Sequence, residues 1–202
     1  MNRIIETLLK CKIMYLTKKC FFYRPTMVVI DKTAIINIRK HFFYNKNHDS
    51  KRILKNKFVG SFFLGKKSVF EVGLFTCGPG CNISVNANSQ LSLGSGYMLS
   101  NCTLDCFNKI TIGENVVISK NVTIRDSNNH MIKDNPNYQI TAPIIIEDNV
   151  WIGMNCTILP GVKIGTGSVV AAGSVVNKSV PPHCLVAGVP AHIVRENVEW
   201  GD

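Results

Sequence analysis

The apolar residues of this chain recur with a period of six. Ile146, Ile152, Ile158, Ile164, Val170 and Val176 are all aliphatic and stand six apart without a break. Four residues after each lies Val150, Cys156, Val162, Ser168, Ser174 or Val180, small or β-branched every time. Gly or Ala often follows the anchor, as at Gly153, Gly165 and Ala171. A helix repeats every 3.6 residues and a flat strand every 2, so neither makes this pattern. A period of six belongs to a parallel β-helix of short strands and tight corners, whose inward anchors stack from coil to coil. Gly and Asn between the anchors serve corners where φ is positive.

The register extends upstream through Ile112, Ile118 and Ile124. Leu93 and Leu99 follow in a shifted phase, then Leu64 and Phe70, and more weakly Ile30 and Ile36. Two segments break it. Residues 40–57, KHFFYNKNHDSKRILKNK, read as a basic insertion. From Ile124 to Ile146 is 22 residues, not a multiple of six, so a polar excursion interrupts the coil over residues 125–143. A long polar detour from a solenoid wall marks a candidate functional loop. Ile4, Ile5, Leu8 and Leu9 predict a short N-terminal helix. The expected organisation is a basic, partly helical segment over 1–29, an all-β parallel β-helix over 30–195, and a tail over 196–202.

Charge divides the chain unevenly. Residues 1–67 hold sixteen of the 23 Lys and Arg against three acids, Glu6, Asp31 and Asp49. The basicity therefore belongs to the N-terminal third, as a solvated face or as a surface for an anionic partner such as a membrane. No aromatic stacking motif or known module supports nucleic-acid binding. Neither a signal-peptide core nor an apolar run long enough to span a bilayer is visible, which predicts a cytoplasmic protein with reduced thiols. Among eight cysteines, Cys77, Cys81, Cys102 and Cys106 form C-x3-C twice. That spacing is loose for structural zinc, and core filling is the favoured reading; no metal site is expected. Cys156 falls at an inward position and reads as core, not as a nucleophile.

The segments NVTIRDSNNHMI, APIIIEDNVWIG, PGVKIGTGSVVAAGSVV and SVPPHCLVAGVPAHIVR together resemble the hexapeptide-repeat O-acetyltransferases. The branch is that of the galactoside and maltose acetyltransferases and the bacterial polysaccharide acetyltransferases. The resemblance spans about residues 64–195 and implies a left-handed coil, a homotrimer, and acetyl-CoA bound in clefts between neighbouring β-helices. It implies transfer of an acetyl group to a sugar hydroxyl, for capsule, lipopolysaccharide or exopolysaccharide. An amino-sugar nucleotide, serine or a small xenobiotic is the alternative acceptor, and a non-enzymatic β-helix scaffold is the reading from another class.

His130, in the excursion, falls where the family's catalytic histidine falls. Imidazole is also the side chain whose ordinary pKa suits taking a hydroxyl proton near neutrality. Asp126, four residues earlier, either orients that imidazole or makes a local turn bond. Asn101, in LSNCTL, matches a polar position that holds the acceptor. Trp151 is expected outward, either beside the acetyl-CoA cleft or in trimer packing. The resemblance puts Gly153, Ala172 and Gly173 against the pantetheine arm, and Lys178 and Arg195 against the CoA phosphates. His192 stands where the family often has another Arg, and Met154 where the galactoside branch has a Ser.

Overall fold

A computed structural model describes residues 3–6, 13–23, 26–44, 46, 59–135 and 137–201. Every regular element among them is a β-strand. The anchors do what their spacing predicts. Ile146 pairs in parallel with Ile164, Ile152 with Val170 and Ile158 with Val176, each eighteen residues on. All six of these side chains are buried, as are Val150, Cys156, Val162, Ser168, Ser174 and Val180 four residues after them. The two buried serines satisfy themselves on backbone: Ser168 Oγ donates to Pro181 O at 2.7 Å and Ser174 Oγ to Ala171 O at 2.7 Å. A buried hydroxyl without such a partner is costly.

Each coil has three faces. Strands Thr123–Arg125, Thr157–Ile158 and Val175–Val176 lie on the first. Lys109–Ile112, Ile144–Ile146 and Lys163–Ile164 lie on the second. Val116–Ile118, Trp151–Ile152, Val169–Val170 and Leu185–Gly188 lie on the third. In the lower coils the second and third faces merge. Val69–Cys77 and Gln90–Met98 run as single strands round that corner. Glycine permits the close approach there. A Cβ on Gly73 would sit 2.4 Å from Gly94 O, and one on Gly94 2.3 Å from Gly113 O.

The lower coils are also longer. Ile83 pairs with Leu104, twenty-one residues on, and Leu104 with Ile124, twenty on. Their wider interior is filled by Phe22, Phe42, Tyr44, Phe62 and Phe70, whose ring centroids lie 5.1–6.3 Å apart in the contacting pairs. The eighteen-residue coils above are filled by Ile, Val, Cys and Ser. The seven described cysteines are all buried as free thiols, in keeping with a core role.

Three expectations need correction. Ile4 and Ile5 lie in a strand, Arg3–Glu6, antiparallel to Thr26–Ile30, and not in a helix; Leu8 and Leu9 lie outside the described residues. Residues 40–44 belong to strand Ile35–Tyr44, which stacks on Val69–Cys77, so the coil continues into the segment read as a basic insertion. Residues 47–57 lie outside the described residues. The upstream anchor is Met98, buried and paired with Ile118, rather than Leu99, which is half-buried. Antiparallel strands close both ends: Ile13–Thr17 on Cys20–Tyr23, and Ala191–Arg195 on Leu185–Gly188.

Candidate functional site

The excursion leaves the corner between the first and second faces. Ile112 pairs with Ile146, thirty-four residues on, so one coil of eighteen carries sixteen inserted residues. The root of the insertion is pinned at several points. Ser127 and Thr141 form an antiparallel bridge, Asn128 N donates to Ile140 O at 2.9 Å, and Ala142 N to Asp126 O at 3.0 Å. Arg125 Nε donates to Ser127 O at 2.9 Å, and its guanidinium meets Asp105 at 3.0 Å and lies over the Phe107 ring. Burial nevertheless raises the Asp105 carboxyl above its ordinary value, with the Arg125 charge opposing. Above this root His130 is exposed, and its imidazole makes no hydrogen bond among the described residues.

Asp126 does not orient that imidazole. It is fully buried, and its carboxylate accepts three backbone N–H groups of the coil below: Phe107 at 2.7 Å, Asn108 at 2.8 Å and Lys109 at 2.7 Å. Both oxygens are thus engaged on a turn seventeen to nineteen residues upstream. The adjacent Cys106 thiol is pushed up to about 12, by burial and then by the Asp126 charge.

Asn101, Gly153, Ala172 and Gly173 gather along the corner between the third and first faces. Asn101, Asn121, Asn155 and Gly173 stack there with φ of 60°, 60°, 58° and 76°. Backbone bonds link the column from Asn121 N to Ser100 O, Asn155 N to Lys120 O and Gly173 N to Met154 O. Asn101 is therefore a left-handed corner residue, exposed at its side chain. Gly153 is required by packing, since a Cβ there would sit 2.6 Å from Ala172 N. A Cβ on Gly173 would meet nothing within 4 Å, so that corner is open to solvent.

Trp151 faces outward on the third face, 40% exposed, in a row of partners running Tyr97, Val117, Trp151, Val169, Leu185, Arg195. Arg195 is exposed at the end of that row. Lys178 is exposed at the corner of the first and second faces, on the side of the excursion and away from Gly153 and Ala172. His192 and Met154 are exposed. In a triangular coil the corner of the first and second faces lies opposite the third face. Among the described residues no hydrogen bond, ring contact or shared groove joins His130 to Trp151.

Trp200, in the C-terminal tail, joins Trp151 on this face. The tail folds back through Val198 N to His183 O at 2.9 Å, with Val198 buried. Trp200 Nε1 donates to Asn149 O at 2.7 Å, and its ring lies 6.1 Å from that of Trp151. Tyr97, Ser119 and Trp151 with Glu199, Trp200 and Gly201 line a groove of about 460 Å³ there. The tail shows no repeat, so no pattern pointed to it.

Short parallel strands in stacked three-faced coils, with one loop thrown out at a corner, make a hexapeptide-repeat β-helix. Residues 143–178 match the model of the bacterial transferase hexapeptide (six repeats). Galactoside O-acetyltransferase of Escherichia coli (strain K12) is 34% identical over 161 residues, covering 76% of this chain and 73% of that protein. The chain belongs to the hexapeptide-repeat acetyltransferase family, and its β-helix is left-handed. Among solved structures, the polysialic acid O-acetyltransferase OatWY shares the fold with a TM-score of 0.54 and 24% identity over 88% of each chain. An S84A mutant of AntD, an N-acyltransferase from Bacillus cereus, in complex with dTDP-4-amino-4,6-dideoxyglucose and coenzyme A, shares it with a TM-score of 0.52. Its identity is 22%, covering 85% of this chain and 82% of that one.

Proposed function

We propose that the chain is an acetyl-CoA-dependent O-acetyltransferase acting on a sugar hydroxyl, in the cytoplasm, on surface polysaccharide or its precursors. The observation that carries this reading is His130: an exposed imidazole with no hydrogen-bond partner among the described residues, held out on a loop whose root is pinned. The 34% identity to a galactoside O-acetyltransferase supports the acyl transfer and the sugar acceptor.

In the proposed step an imidazole nitrogen takes the proton of the acceptor hydroxyl as its oxygen bonds to the acetyl carbonyl carbon. The carbonyl electron pair moves onto oxygen, and backbone N–H groups at coil corners stabilise that oxyanion. Collapse re-forms the carbonyl and breaks the C–S bond. The imidazolium returns its proton to the departing thiolate, leaving an acetyl ester and CoA.

Acetyl-CoA is proposed to lie along the open corner at Gly153, Ala172 and Gly173, with the Arg195 guanidinium toward a phosphate. Lys178 reaches a phosphate in this scheme only from the other side of a subunit contact. His130 of one copy acts in the cleft of the next, because it stands at the corner opposite the face that carries Trp151. A homotrimer supplies that arrangement.

The test is a CoA-release assay over a panel of sugars, sugar nucleotides and lipid-linked oligosaccharides. Acceptor-dependent release by the wild type, abolished in a folded His130→Ala protein, is the expected result. Acceptor-dependent release unchanged by that substitution contradicts the mechanism.

A further inference from the structure

The groove at Trp151 and Trp200 carries more information than its place beside the proposed cleft. Both indole N–H groups are already engaged, Trp200 Nε1 on Asn149 O at 2.7 Å and Trp151 Nε1 toward Ser119 Oγ at 3.4 Å. The ring faces are what remain for a ligand. The rings lie 6.1 Å apart and 46° from parallel. A third ring between them needs about 7 Å, two van der Waals contacts of about 3.5 Å each. The indoles therefore form one bent aromatic wall and not a sandwich.

Charge narrows the occupant. Among the residues that line the groove there is no Lys, Arg or His, and Glu199 is its one carboxylate. Such a lining disfavours phosphate, sulfate and carboxylate ligands and offers a carboxylate as acceptor for hydroxyl donors. Its volume of about 460 Å³ falls in the range of small-molecule sites. A neutral pyranose fits this chemistry: its C–H faces are apolar and its rim carries hydroxyls. The tail is held in place without any ligand, by Val198 N on His183 O and by the burial of Val198.

We propose that the C-terminal tail makes the acceptor-selecting wall of the site, with Trp200 packing on the face of a neutral hexopyranose and Glu199 disfavouring anionic sugars. This rests on the sugar O-acetyltransfer proposed above and names its substrate class. Trp200 then acts on acceptor binding and selectivity, and not on the proton transfer.

The chain has two tryptophans, and both line the groove. Intrinsic tryptophan fluorescence of the full-length protein thus reads this site alone, without turnover. Titration with methyl β-galactopyranoside and methyl β-glucopyranoside should change the emission saturably. Methyl β-glucuronide should bind at least about tenfold more weakly, and Glu199→Gln should narrow that gap. In the assay Trp200→Ala should raise the acceptor KM at least about tenfold while leaving the KM for acetyl-CoA within about twofold. Trp200→Phe should recover most of the loss and guards against a folding defect. An emission change with CoA but none with either glycoside gives the groove to the cofactor and overturns the proposal. No change with any of the probes, or equal affinity for the uronide, overturns it as well. Glycoside binding in a protein without acetyl transfer leaves the groove standing and removes the catalytic reading, so the two failures are distinguishable.

Discussion

The Asp126 carboxylate accepts the backbone N–H of Lys109 at 2.7 Å, across a gap of seventeen residues, just below the loop that carries His130. Phe107 and Asn108 donate to the same carboxylate. The acid four residues before the histidine is thus part of the scaffold, and it fixes where the loop begins.

Asp126→Ala should therefore be a stability mutant. It leaves three N–H groups without their acceptor, and hydrogen bonds to a charged group contribute about 1.5–3 kcal/mol each, not additively. A loss of about 3 kcal/mol or more is expected in denaturant unfolding, with residual activity following the folded fraction. A fully stable Asp126→Ala protein that has lost turnover would return the residue to the chemistry.

Gly94→Ala tests the merged corner. The new Cβ would sit 2.3 Å from Gly113 O, which is backbone and cannot swing aside. Overpacking of this kind costs about 1–3 kcal/mol. Gly173→Ala meets no neighbour, yet its φ of 76° costs about 1–2 kcal/mol for an L side chain. Thermal melts should place both variants below the wild type, and an unchanged melting temperature for Gly94→Ala would refute the close corner.

Thiol chemistry gives a pH test. Burial pushes Cys20 up to about 12, and burial with the Asp126 charge does the same for Cys106. At pH 8 both are neutral thiols, sealed in the core, and a maleimide or disulfide reagent should label neither until the protein unfolds. The sign of the linkage follows. An acid whose folded pKa is raised stabilises the fold below its unfolded value, about 8.5, and loses that contribution as pH climbs from there toward 12. Rapid labelling of Cys106 in the native protein at pH 8 would contradict this packing.

The upper coils were legible because eighteen residues hold three sixes, so one arithmetic rule sets strand, corner and core from Ile146 to Val176. The rule slips where coils lengthen to twenty and twenty-one residues around Phe62 and Phe70, which is why Met98 and not Leu99 takes the anchor position. The excursion was legible as a break in the count, and His130 with it. The role of Asp126 was not, since a bond to the coil below joins residues far apart in sequence. Trp200 was not, since the tail follows no period and is placed by Asn149 O and His183 O, acceptors on the coils it returns to.

The central claim is that His130 removes the acceptor proton. CoA release from acetyl-CoA, measured with a neutral hexopyranoside for wild type and His130→Ala side by side, tests it most directly. With His130 as the base, kcat falls about 10²–10⁴-fold in the variant, with an unchanged melting temperature and oligomer mass. Turnover near the wild-type value in that variant would contradict it.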